Sequence, residues 1–147
     1  MQAIYLFLIL MSRTRSYFEL KQLETFIERF QYLELRGVLG ESTFGFDRWV
    51  NQRFYKSHEW LSVREHVIVR DNGCDLGVLG YEINGGLLVH HMNPLGLKDL
   101  IDGGDWILDP EFLITTSLRT HNAIHYGNEE LLPRAPVERK LGDTTLW

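Results

Sequence analysis

The chain is 147 residues long, 44% hydrophobic and 24% charged, with a formal net charge of −5. That length fits one domain able to bury a sizeable core, and the composition excludes disorder in favour of a soluble globular protein. A single cysteine, Cys74, excludes an internal disulfide framework and any cysteine-based zinc knuckle.

The charge is unevenly spread. Residues 1–70 hold ten Lys or Arg against eight Asp or Glu, a net of +2, whereas residues 71–147 hold five against twelve, a net of −7. Any attraction for phosphate must come from the first half or from a metal.

In chain order, Ala3–Leu10 is an apolar run too short to span a bilayer, and it lacks the flanks of a secretory signal. It can be a terminal strand, a membrane-touching segment or an upstream artefact. Thr25-Phe26-Ile27-Glu28 reads as a capping box. The helix it opens carries Phe26, Ile27, Phe30 and Leu33 on one stripe, with Leu20 and Leu23 beneath it and Gly37 as terminator. Residues 37–45 are Gly-rich but lack the Lys and spacing of a phosphate-binding loop, so they read as a connector. A second helix spans 46–55, with Phe46, Trp49, Val50 and Phe54 on one side and Arg48, Arg53 and Lys56 on or beside the others. A third begins after Ser57, a good N-cap, and runs to Val69 with Trp60, Val63 and Val67 inward and Arg64 outward. Basic residues interleaved with aromatics suit a DNA-facing surface, and a solvated helix face has the same pattern.

Asp71-Asn72-Gly73 marks a turn, residues 74–83 alternate loosely, and Asn84-Gly85-Gly86 is a hairpin signal. The strand Leu87-Leu88-Val89 leads into His90 and His91, and Asn93-Pro94 ends the ladder. Residues 95–110 form a long excursion with a helical turn at 97–101 closed by Gly103-Gly104, and a loop of this length at a strand end points to function. Residues 112–116 read as a strand and 118–126 as a helix, followed by a tail that wraps the surface. No repeat, low-complexity segment or transmembrane span is present in the sequence.

Four of the six histidines fall between Val89 and Gly127. His121 and His125 are four apart, so a helix puts them on one face, where they can grip one ion. A strand sends His90 and His91 to opposite faces. The division this implies is one of the two joining the helical pair on a metal and the other left free for proton transfer.

His90-His91 and His121-Asn122-Ala123-Ile124-His125 resemble the HNH, or ββα-metal, nuclease motif in its His-rich colicin-type form. Gly40–Phe46, Tyr55–Trp60 and Val67–Gly77 resemble blocks of bacteriophage HNH endonucleases, so the similarity runs from about Thr25 to the C-terminus. The resemblance implies an α+β fold: an HNH core at 74–127, a helical DNA-facing segment at 25–70 packed against it, an extension at 1–24 and a tail at 128–147. It favours a true start at Met11. It implies a DNA endonuclease working without a membrane, in the cytoplasm of a bacterial host if phage-encoded. One divalent ion, Mg, Mn, Zn, Ni or Co, would sit on His90, His121 and His125, with His91 as general base. Arg119, Arg48, Arg53 and Lys56 are candidate DNA contacts, with Arg64 and Arg70 added by the helix that follows Ser57. Ser117 and Thr120 stand where many members carry one of two zinc-binding cysteine pairs, so that second zinc is not expected. The Asn that names the motif is also missing. The count back from His121 lands on Phe112, and the neighbouring Glu111 is expected to orient His91 instead. Asn122 is a reserve ligand should His121 point away. The rival reading is a non-catalytic DNA- or protein-binding phage protein whose three histidines hold a structural metal.

Overall fold

The computed structural model describes residues 14–35, 46–78 and 81–132, with only the backbone for residues 46–49 and for Tyr81. The apolar run, the glycine-rich connector with Gly37, and the tail beyond Leu132 lie outside the described residues. The elements follow in order: α1 (Tyr17–Leu20), α2 (Phe26–Leu33), α3 (Phe46–Tyr55), α4 (His58–Arg70), β1 (Cys74–Asp75), β2 (Tyr81–Glu82), β3 (Leu87–His91), α5 (Leu97–Asp102), β4 (Leu113–Ser117) and α6 (Leu118–Tyr126). Short 3-10 turns at Asp105–Leu108 and Pro110–Phe112 precede β4, and another follows α6 at Glu129–Leu131. The architecture is mixed α+β. No helix of the described residues is long and apolar enough to cross a membrane.

Local chemistry sets the helix ends. Thr25 Oγ1 accepts from Glu28 N at 3.3 Å and the Glu28 carboxylate accepts from Thr25 N at 3.1 Å, which completes the capping box. Ser57 caps α4 and Ser117 caps α6 in the same way, each accepting from the backbone three residues on. Gly127, at φ 61°, ends α6 in the left-handed conformation that glycine enters most cheaply.

The strands depart from expectation. Asn84-Gly85-Gly86 does not make a hairpin: β2 pairs back onto β1, and β3 pairs antiparallel with β4, from Leu87↔Ser117 to His91↔Leu113. A two-residue β2 offers too short a ladder for a five-residue strand. β4 matches β3 residue for residue, and closing the longer loop costs free energy only logarithmically in its length.

Cross-strand partners share a face, so His90 lies with Ile114 and His91 with Leu113. One face is covered by α1, α2 and α6, where Leu20, Leu33, Leu35, Met92, Ile114 and Ile124 form a buried cluster. The other is covered by α4, with Trp60, Val67 and Leu113 buried and Phe54, Val63, Val89 and Leu108 packed around them. With both faces covered, all five residues of β4 are buried. Full burial of each such Leu or Ile stabilises the fold by about 1.5–3 kcal/mol. Leu20 and Leu23 do pack beneath α2, whereas Phe26 is 49% exposed and falls outside the stripe assigned to it.

One of the basic residues is used for structure. Arg70 turns inward, donating to Pro110 O and Leu113 O at 2.7 Å each and pairing with Asp71 at 2.7 Å. Its guanidinium also lies 3.8 Å from the centre of the Tyr17 ring. Four of its five N–H groups are taken by two carbonyls and a carboxylate, so Arg70 ties the fold together and is not the free basic side chain that its assignment to the grip requires. Arg64 is half-buried on the same helix, and Arg53 and Lys56 are exposed.

Candidate metal centre

The N-cap at Ser117 starts α6 in a register that buries Ala123 and Ile124 and leaves His121 and His125 half-buried. Those two rings meet His90 at the end of β3. Ring centres are 5.2 Å apart for His90–His121, 5.0 Å for His90–His125 and 4.3 Å for His121–His125. One nitrogen from each ring lies within 4.8 Å of the others. Three imidazoles around one tetrahedral ion, at about 2.0–2.1 Å each, need nitrogens roughly 3.4 Å apart, a spacing inside the 4.8 Å bound of this cluster.

His90 Nε2, His121 Nδ1 and His125 Nδ1 are buried without a hydrogen-bond partner. One orphaned buried nitrogen costs about 1–3 kcal/mol. Three of them on converging rings fit a shared cation. Burial is the main force lowering their proton affinity. It holds His90 well below the usual imidazole range, with neighbouring His121 and His125 adding to the effect, and it pushes His125 down to about 4. His121 is lowered too, opposed in part by a hydrogen bond with Asn122. Neutral imidazole is the form that binds metal, so the donor set fits a divalent ion. His121 does not point away, and Asn122 supports its neighbour rather than replacing it.

His91 occupies the other side of β3 and is 8% exposed. Its ring stacks on Trp60 at 5.1 Å and 17°, with Phe54 at 6.1 Å and Tyr55 and Trp106 at 6.4 Å. Its Nε2 lies 2.8 Å from Ile107 O. A carbonyl can only accept, so Nε2 carries the proton of the neutral ring and Nδ1 the lone pair. Burial lowers the pKa of this ring, against a smaller upward pull from Ile107.

Glu111 does not orient His91. Its Oε1 accepts instead from Phe18 N at 2.7 Å, which ties the turn before β4 to the start of α1. The orienting group is supplied by the long excursion, whose 3-10 turn at Asp105–Leu108 folds back and brings Ile107 O and Trp106 to His91.

Arg119 is exposed on α6, and the side chain of Arg48 lies outside the described residues. Sequence reasoning missed Arg15. Asn93, read only as a strand stop, accepts from Arg15 N at 2.7 Å and donates to Arg15 O at 2.9 Å. This lays residues 14–16 beside the exit of β3. The Arg15 guanidinium donates to Tyr32 O and Glu34 O, and its charge adds a small downward push on His90. The partners are 78 residues apart, and no local pattern signals them.

Comparison with protein-family models, curated proteins and solved structures finds no match to this chain.

Proposed function

We propose that this chain is a divalent-metal-dependent HNH endonuclease that hydrolyses DNA phosphodiester bonds, with β3, β4 and α6 as its ββα-metal unit. The observation that carries this reading is the set of three buried, partnerless ring nitrogens, with a fourth imidazole outside the cluster on the opposite face of β3. His90, His121 and His125 would hold one ion among Mg, Mn, Zn, Ni and Co, with the borderline ions favoured by imidazole. When bound, the ion neutralises phosphate charge and stabilises the departing 3′ oxygen. His91 Nδ1 takes the proton of the water that attacks phosphorus, the phosphorus–O3′ bond breaks, and the departing 3′ oxygen takes a proton from solvent water to leave as a hydroxyl. The Ile107 carbonyl holds Nε2 during that transfer and fixes the ring. Burial among the aromatic side chains lowers its pKa, so the ring is neutral, the form a general base needs.

A plasmid-cleavage assay across Mg, Mn, Zn, Ni and Co, with and without chelator, tests this reading. Cleavage with at least one ion and its loss on chelation are expected. No cleavage with any ion, by protein that binds metal, would favour the second reading, a non-catalytic DNA- or protein-binding protein with a structural metal. One observation supports that second reading: His91 is 8% exposed and stacked on Trp60 as a core histidine would be.

The acidic second half needs help to hold a polyanion, and α3 offers it. Changing Arg48, Arg53 and Lys56 together to Ala is expected to weaken DNA binding and flatten its salt dependence. The log–log slope should fall by about 0.9 for each phosphate that the variant no longer neutralises. Binding is measured from about 50 to 200 mM salt with His91→Ala in both proteins to prevent cutting. Superimposable curves would leave α3 a solvated face and move the search for the DNA path to residues 95–110.

A further inference from the structure

Asp75, at the end of β1, is fully buried. Three donors surround its carboxylate: Gly77 N at 2.9 Å on Oδ1, with Ser117 N at 3.0 Å and the Thr120 hydroxyl at 2.5 Å on Oδ2. Ser117 and Thr120 are joined to each other as well, through Ser117 Oγ to Thr120 Oγ1 at 3.1 Å and Thr120 N to Ser117 Oγ at 3.2 Å. Both belong to the start of α6, and Thr120 immediately precedes His121. A carboxylate here also faces the positive end of the helix.

Gly77 brings the chain onto the same turn from the other side. A Cβ at Gly77 would overlap Thr120 Cγ2 and come within 3.3 Å of Asp75 Oδ1. The loop after β1 is therefore packed closely against the first turn of α6. His90 comes from β3, a different element, so its distance to His121 and His125 depends on where this turn is held.

We infer that Asp75 is a positioning residue: through Ser117 and Thr120 it fixes the first turn of α6, and so sets His121 and His125 against His90. The inference rests on the three-histidine reading of the centre. It assigns to Asp75, Gly77 and Thr120 a part in the geometry of that centre, separate from their part in stability.

Asp75→Asn keeps the size of the side chain and removes one acceptor. Whichever way the amide is turned, its NH2 faces a backbone N–H, either Gly77 N or Ser117 N, and one bond of the clip is broken. The readout is Co2+ titration followed by visible absorption, which reports affinity and coordination geometry together. Circular dichroism first confirms that each variant is folded at the temperature used. Asp75→Asn is expected to weaken Co2+ binding by about 10–100-fold, the usual effect of groups that orient metal ligands, and to change the absorption spectrum. Gly77→Ala should do the same by pushing on Thr120. Adding Thr120→Ser to Gly77→Ala removes the methyl that is struck and keeps the hydroxyl, so the double variant should regain affinity and spectrum.

Folded Asp75→Asn and Gly77→Ala proteins with the parent's affinity and spectrum would overturn the inference. Should Asp75→Asn fail to fold, the Gly77→Ala pair decides, and no recovery in the double variant overturns it. A parent that binds no Co2+ would instead remove the three-histidine reading itself, and this assignment with it.

Discussion

Replacing His91 with Ala is expected to slow DNA cleavage by about 10²–10⁴-fold, the usual contribution of a positioned base, while metal affinity stays at the parent's level. Two features separate His91 from the cluster. It lies on the opposite face of β3 from His90, and its Nε2 is committed to Ile107 O at 2.8 Å. The substitution also opens a cavity beside Trp60, so rates are compared at a temperature where both proteins are folded. The checks are single-turnover cleavage and metal titration on the same preparations. Unchanged cleavage would remove His91 from the chemistry, and loss of metal along with cleavage would place it among the ligands.

Single Ala substitutions of His90, His121 and His125 should each weaken metal binding by more than the roughly 100-fold upper range for groups that only orient a ligand. Each removes one of three nitrogens that have no other partner. Calorimetry at pH 7 measures the loss, and parent-like binding by both His121→Ala and His125→Ala would sink the site. The parent's own pH dependence gives a second check. Burial lowers all three pKa values below the ordinary 6.5, so the ligands are neutral and binding is fully developed above that value. Affinity should fall as the pH drops from there toward about 4, where His125 becomes protonated. Affinity that rises on acidification would contradict neutral imidazole ligands.

Much of the site is legible in the sequence because its signals are local. An i, i+4 pair shares a helix face wherever the helix lies, and adjacent strand residues diverge whatever their neighbours are. Ser57 and the Thr25–Glu28 pair act on the backbone within three residues of themselves, so those helix starts can be read directly. The corrections fall on side chains whose partners are distant. Glu111 reaches across 93 residues to Phe18, and Arg70 across 40 and 43 residues to Pro110 and Leu113. Ser117 and Thr120 stand out in the sequence only for not being cysteines, yet they meet the Asp75 carboxylate more than 40 residues away.

By itself, then, the sequence determined the α+β class, the starts of α2 to α6 though not the existence of α1, and the split of the histidines between a helical pair and a divergent strand pair. Only the tertiary structure decided that β3 pairs with β4 and not β2, and that His90 is the one that faces α6. It also decided that Ile107, not Glu111, orients His91. Helix caps and residue spacing act within one turn or one strand and survive any rearrangement of the rest. Strand partners and buried hydrogen bonds are instead chosen by competition among distant segments for the same apolar face or the same buried carboxylate, and that competition is settled only once the chain is packed.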